Sequence, residues 1–143
     1  MARPEELARR MLELTDRQDW AGREALLAPD CDVLTPTGAL RGPAATTAYS
    51  KPLVAAFTDA YHRVDLVVAS GEAVAVEGAW LGTHTGPLLT PDGEVPPTGR
   101  SIELPFAATL RVSGDVVMSM HVYFDQLSLM AQLGLVPQAQ AAA

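Results

Sequence analysis

Few side chains in this sequence could transfer a proton inside an apolar pocket, and His84 is the first candidate. In the segment from Glu72 to Thr85 the even-numbered residues include Val74, Val76 and Trp80, so alternation places His84 on the inward face with Trp80. A neutral imidazole there could accept a proton from a carbon flanked by carbonyls. It could equally hydrogen-bond to the proline-rich loop that follows, and both roles for His84 stay open.

The other polar candidates have simpler structural interpretations. Asp125 directly precedes an apolar helical run, so it is predicted to cap that helix, with general base chemistry as the less favoured alternative. Tyr49 on a predicted helix could point its hydroxyl into a pocket or pack. His121 falls on the opposite face of the last strand and suits a surface or an interface. His62 begins a strand and is predicted to be exposed.

Composition excludes several classes of function. The 143 residues include 10 Lys plus Arg against 17 Asp plus Glu, a net charge of −7 that argues against nucleic acid or an anionic membrane as a partner. No glycine-rich phosphate loop, paired-histidine metal site or Gly-x-Ser-x-Gly elbow occurs in the sequence, so we expect neither a metal nor a cofactor. Cys31 is the single cysteine; it is interpreted as a small apolar residue of a cytoplasmic protein.

Hydrophobic periodicity predicts three helices followed by an antiparallel sheet. The first half is predicted to contain helices over Pro4–Leu14, from Asp19 to before Pro29 and over Pro43–Thr58, with a short strand over Cys31–Thr35. We expect Pro52 to kink the third helix or mark a restart. The second half is predicted to form strands Tyr61–Ala69, Glu72–Thr85, Arg100–Val112 and Val116–Phe124, paired as two hairpins.

This order of elements is typical of an α+β fold. A last helix is predicted over Gln126–Leu133, and one domain over residues 1–137, followed by a disordered tail from Gln138 to Ala143. Alternation predicts that the even residues of Arg100–Val112 face the core. In the last strand it predicts an inward face of Met118, Met120, Val122 and Phe124.

Four short motifs carry a resemblance to a known family. They are Gly82-Thr83-His84-Thr85-Gly86, Pro97-Thr98-Gly99-Arg100, Tyr123-Phe124-Asp125-Gln126-Leu127 and Gln132-Leu133-Gly134-Leu135. In this order and spacing the chain resembles the SnoaL-like polyketide cyclases of the nuclear transport factor 2-like superfamily. The stretch from Pro97 to Asp125 is also similar to limonene-type epoxide hydrolases.

The resemblance implies a cone-shaped α+β barrel, with three N-terminal helices on the concave face of a strongly curved sheet and an apolar pocket inside. It also implies a homodimer, and a cofactor-independent intramolecular aldol closure in which an aspartate takes the proton. The positions that correspond to the family's acid–base pair hold Val122 and Ala108, and Thr35 stands where other branches of the fold carry an aspartate.

Two functions from different classes therefore follow from the sequence. The first is a cyclase or isomerase for a hydrophobic polyketide-like molecule, with a non-standard acid or base; the second is a non-catalytic carrier of the same fold. Epoxide hydrolysis is the least favoured, because it needs a carboxylate to hold water. The expected pocket residues are Trp80, Tyr49, Thr35, Phe106, Ala108, Met120, Val122 and Phe124.

Overall fold

The computed structural model describes residues 2–136, in which helices pack on a curved six-stranded sheet. The helices are α1 (Pro4–Asp16), α2 (Trp20–Ala25), α3 (Pro43–Ala56) and α4 (Gln126–Gln132). The strands are β1 (Leu27–Thr35), β2 (Gly38–Arg41), β3 (Tyr61–Ser70), β4 (Ala73–Thr83), β5 (Leu88–Thr90), β6 (Gly93–Val95), β7 (Ser101–Ser113) and β8 (Val116–Phe124). The predicted tail, residues 138–143, lies outside the described residues.

The sheet has the order β2-β1-β8-β7-β4-β3. Only β1 and β8 run parallel; the other neighbours are antiparallel, and both predicted hairpins, β3–β4 and β7–β8, are confirmed. Helix α1 packs across β3, β4 and β7 with its apolar face inward. The chain therefore has the predicted α+β architecture.

Strand β7 follows the predicted alternation along its whole length. Every even residue from Ile102 to Val112 is buried, and the odd residues are exposed apart from the half-buried Ala107. A one-residue shift in the pairing of such a strand would move its apolar side chains to the solvent face. Strand β7 therefore determines which faces of its neighbours β4 and β8 point inward.

Strand β8 departs from the predicted alternation because it contains a bulge. Its register with β7 shifts between Arg111 and Val112, which leaves Met118 as the extra residue. As a result Val117 is inside with 0% exposure and Met118 is outside with 41%. The prediction that Met118 faces inward was wrong, whereas Met120 is buried as predicted.

A second bulge lies in β3, where Asp65 is unpaired opposite β4. Gly78 sits across from it, and a Cβ at this glycine would lie 1.9 Å from the Arg63 carbonyl oxygen. Only a glycine allows this approach of the two backbones. On β3 the inward-facing residues are even-numbered before the bulge and odd-numbered after it. The bulge therefore determines that His62 faces inward.

The remaining differences between the predicted and the observed elements are short strands in segments that are rich in turn residues. Strand β1 begins at Leu27 rather than Cys31, and β2, β5 and β6 were not predicted at all. The prolines and glycines that signalled loops flank these strands and leave three or four residues to pair. Helix α3 continues through Pro52 to Ala56, so no restart occurs there.

Helix α4 closes one end of the molecule. Asp125 caps it by accepting hydrogen bonds from the backbone N–H groups of Leu127 at 2.9 Å and Ser128 at 3.3 Å. Leu129 and Leu133 are buried against the core cluster around Phe57. Within residues 2–136, no helix is both long and apolar enough to cross a membrane.

We predict that Asp125→Ala lowers the free energy of unfolding by about 1 kcal/mol, because two N–H groups of α4 lose their acceptor. Chemical denaturation measures the change. Asp125→Asn keeps an accepting oxygen and should lose much less. An alanine variant as stable as the wild type would show that the cap contributes nothing.

Candidate functional site

A cavity of about 110 Å³ lies between the helices and the inner face of the sheet. Its walls are mostly apolar, so a ligand inside it would be largely removed from water. The lining residues on the helices are Ala8, Met11, Leu12, Thr15, Arg23, Tyr49, Ser50, Leu53, Val54 and Leu129. Those on the sheet are His62, Val76, Trp80, Leu104, Phe106, Ala108, Leu110, Met120, Val122 and Phe124.

The first polar feature of the cavity is the pair of Asp16 and His62. Asp16 ends α1 and His62 is the second residue of β3, so the packing of α1 on the sheet brings them together. The Asp16 Oδ1 atom is 2.6 Å from His62 Nδ1, and Oδ2 accepts a hydrogen bond from the His62 backbone N–H at 3.0 Å. The two side chains are 23% and 14% exposed, respectively.

This pairing determines which nitrogen of the His62 ring carries a proton. An ionised carboxylate can only accept hydrogen bonds, so Nδ1 of His62 carries a proton and donates it to Asp16. When the ring is neutral, the lone pair is then on Nε2, to which no side chain or backbone group of residues 2–136 hydrogen-bonds. A histidine oriented by a carboxylate, with its second nitrogen free, is the arrangement of a general base.

The second polar feature is Arg23 of α2, whose side chain lines the cavity and is only 6% exposed. Its Nε and Nη1 atoms have no hydrogen-bond partner, and its guanidinium lies 5.8 Å from the centre of the Trp20 ring. Burial lowers the pKa of Arg23 to about 10, an effect that the neighbouring Glu24 charge opposes. The side chain therefore remains cationic at neutral pH.

Tyr49 of α3 contributes a hydroxyl near the wall. Burial raises the pKa of its phenol, and the hydroxyl groups of Thr35 and Thr37 act in the opposite direction. Thr35 itself donates a hydrogen bond to the Gly38 carbonyl and does not line the cavity. The prediction that Thr35 lines the pocket was wrong, because its hydroxyl lies next to the Tyr49 hydroxyl and outside the lining.

Most of the predicted pocket residues do line the cavity: Trp80, Tyr49, Phe106, Ala108, Met120, Val122 and Phe124. Val122 and Ala108, which stand at the positions that the resemblance assigns to an acid–base pair, are directly paired across β7 and β8. They give this part of the wall two apolar side chains. Asp125 lies outside the lining and acts as the cap of α4.

His84 is buried, but it does not line the cavity. Strand β4 ends at Thr83, and the His84 ring stacks on Phe57 with 5.2 Å between ring centres and 0% exposure. Its Nδ1 accepts a hydrogen bond from the Thr98 backbone N–H at 3.1 Å, and burial lowers its pKa. The alternation that put His84 beside Trp80 stops at the strand end, so the ring holds the loop before β7.

Sequence reasoning missed His62 and Arg23. His62 was predicted to be exposed, yet the β3 bulge pairs it with the inward-facing Trp80. Arg23 follows Trp20 by three residues and precedes Leu26 by three, so it lies on the apolar face of α2, a spacing that could have revealed it. Among residues 2–136, no group of three or more metal-ligating side chains occurs.

Comparison with known proteins gives a family and a fold. The family model described as SnoaL-like polyketide cyclase matches residues 5–133. No curated protein matches the chain significantly. Similar solved structures include AclR, a candidate hydroxylase from Streptomyces galilaeus, with 21% identity and a TM-score of 0.83 over 96% of this chain and 84% of that one.

Two further structures have the same fold. IdmH, a candidate polyketide cyclase from Streptomyces antibioticus, has 25% identity and a TM-score of 0.81 over 93% of this chain and 99% of that one. A candidate SnoaL-like polyketide cyclase from Jannaschia sp. CCS1 has 22% identity and a TM-score of 0.81 over 94% of this chain and 93% of that one. The match covers all of the elements from α1 to α4, and the chain belongs to the SnoaL-like polyketide cyclase family.

Proposed function

We propose that this protein is a cofactor-independent cyclase or isomerase that acts on a hydrophobic, polyketide-like molecule, with His62 as the general base. The observation that carries the proposal is the hydrogen bond of 2.6 Å between Asp16 and His62 at the wall of an apolar cavity. It supplies the proton acceptor that Val122 and Ala108 lack. The proposed base therefore lies on β3, whereas the resemblance implies a base on β8.

The proposed reaction starts at a carbon flanked by two carbonyls. His62 Nε2 takes the proton, the C–H electrons form an enolate, and Asp16 stabilises the imidazolium. The enolate carbon then attacks a second carbonyl of the same molecule, which forms the C–C bond and an alkoxide. The alkoxide takes the proton back from His62, so the closure needs no other reactant.

The size of the cavity restricts what binds wholly inside it. An engineered protein cavity of about 150 Å³ holds one benzene molecule, so the present 110 Å³ suits no more than one small ring. A second space of about 370 Å³, which we call the outer groove, is lined by α3, the β5 region and α4. It shares Tyr49, Leu53, Phe124 and Leu129 with the cavity, so a longer substrate would extend past these side chains.

A non-catalytic carrier is the second candidate function. It is favoured by the apolar pair Val122 and Ala108, because a binding protein needs only shape and a few hydrogen bonds. Epoxide hydrolysis remains the least favoured function. No aspartate or glutamate among residues 2–136 lines the cavity, and the Asp16 carboxylate is occupied by His62.

Proton abstraction can be tested without the natural substrate. We predict that the wild type accelerates exchange of the acidic C–H of a small β-keto ester for deuterium, followed by NMR in D₂O. His62→Gln should lower the rate at least about 100-fold, since a positioned base contributes 10²- to 10⁴-fold. Asp16→Asn should lower kcat and leave KM within about twofold, because Asp16 orients the base and does not touch the ligand.

Two histidines serve as controls for this experiment. His121→Gln on the outer sheet face should exchange like the wild type, and His84→Asn should lose stability but keep the activity of its folded fraction. Loss of exchange in His84→Asn but not in His62→Gln would refute the proposed base. A wild type that binds the ester without exchanging it would favour the carrier.

We also propose that the protein is a homodimer joined through the outer face of the sheet. The register places Leu66, Glu77, Ala107 and Tyr123 in one outward row, and Leu66 and Tyr123 are about half exposed. Val117, an odd-numbered residue of β8 that strict alternation would place on this face, is buried in the core instead. A face of this mixed character is typical of interfaces between subunits.

Sedimentation velocity at micromolar concentration should therefore give a dimer. Tyr123→Glu places an unpaired charge in the interface and should raise the dissociation constant at least about tenfold. Leu127→Glu is the matched control, because Leu127 is exposed on α4 away from the sheet face. A wild-type monomer at this concentration would remove the proposal.

A further inference from the structure

The guanidinium of Arg23 is a buried charge without a partner. Arginine is almost never fully buried unless it is paired, yet no carboxylate among residues 2–136 lies within ion-pair distance of it. Its neighbour Glu24 is occupied elsewhere, since Glu24 Oε2 accepts a hydrogen bond from the Thr47 hydroxyl at 2.8 Å. The Trp20 ring face and the more distant Glu24 charge stabilise the cation, but neither pairs with its Nε and Nη1 donors.

A buried guanidinium with unpaired donors costs stability. Replacing buried charges by apolar residues of similar volume is often neutral or stabilising, because the desolvation penalty disappears. Two donor groups, Nε and Nη1, remain unpaired at the wall of a cavity. The charge is therefore best explained by a ligand that completes its hydrogen bonds.

We propose that Arg23 forms an anion-binding subsite of the cavity, which takes one acidic group of an otherwise apolar ligand. The group is a carboxylate or the enolate of a 1,3-dicarbonyl, since both spread one negative charge over two accepting oxygens. This inference rests on the cavity being the ligand site of the proposed function, but it does not require turnover.

Two electrostatic features determine how an anion would meet such a subsite. The net charge of −7 repels anions in general. Inside the cavity, no acidic side chain of residues 2–136 lines the wall, so an incoming anion meets Arg23 without a competing carboxylate. Charge-assisted hydrogen bonds are stronger there than in water, because the surrounding wall is apolar.

The position of Arg23 also fits the proposed reaction. His62 and Arg23 line the same small cavity from β3 and α2. Removal of a proton by His62 would leave a negative charge on the oxygens of the 1,3-dicarbonyl, and Arg23 would stabilise it. The subsite thereby narrows the substrate class to apolar molecules with one enolisable or already ionised dicarbonyl or carboxyl group.

The experiment is titration calorimetry at pH 7 with a matched pair of small probes, phenylacetate and phenylacetamide, which differ in charge but hardly in shape. The wild type should bind phenylacetate about 10- to 100-fold more tightly than the amide. Arg23→Met should abolish this preference and leave amide binding unchanged. Arg23→Lys, which keeps the charge but has fewer donors, should retain part of it.

Dimedone, which is largely the enolate at this pH, is the second anionic probe. It tests whether the subsite takes an enolate, whereas phenylacetate tests whether it takes a carboxylate. Binding of either anion in an Arg23-dependent manner supports the subsite, and the probe preferred identifies the acidic group. The Arg23→Met variant should melt at the same temperature as the wild type or higher, which shows that it folds.

Equal affinity for phenylacetate and phenylacetamide, no binding of any of the three probes, or an unchanged preference in Arg23→Met would each overturn the proposal. His121→Gln, on the outer face of the sheet, should bind phenylacetate like the wild type, and the binding test does not depend on turnover. Anion binding that survives when deuterium exchange is absent therefore leaves the subsite standing and moves the protein to the carrier function. The two proposals can fail independently.

Discussion

The close approach of the β3 backbone to Gly78 decides which side chain at the start of β3 faces the cavity. Without the bulge at Asp65, the two-residue turn after Ser70 would pair Arg63 with Trp80 and turn it inward. With the bulge, His62 pairs with Trp80, and Arg63 turns outward to Asp65 and Glu103, at 3.0 Å and 2.6 Å. A single extra residue therefore exchanges a permanent cation for a titratable imidazole, and no residue other than glycine at position 78 permits it.

In the proposed function, that exchange places the base away from position 122. Val122 and Ala108 share a cross-strand row with Val76, whereas His62 shares one with Trp80. Trp80 and Val76 are four residues apart on β4, which corresponds to about 13 Å of extended strand. A base at His62 would therefore act on a different atom of a bound molecule than a base at position 122.

The sequence was most informative where one physical rule operated without interruption. Alternation in β7 placed Phe106 and Ala108 in the wall, because the strand contains no bulge and its pattern never changes period. It failed at His84, one residue beyond the end of β4, and at Met118, where a bulge shifts β8 by one residue. Bulges depend on the pairing of two strands, so a pattern read along one strand does not contain them.

Arg23 was missed for a different reason, because it violates the rule that charges lie on the polar face of a helix. Local rules are expected to fail where a site needs a group that folding alone would remove. In the two proposals the buried guanidinium and the Asp16–His62 pair are such groups, and both lie at the α1, α2 and β3 side of the cavity. The opposite side, formed by β7 and β8, contributes only apolar side chains to the lining. The described lining therefore divides into a wall with Arg23 and His62, on which both proposals rest, and a wall that is apolar.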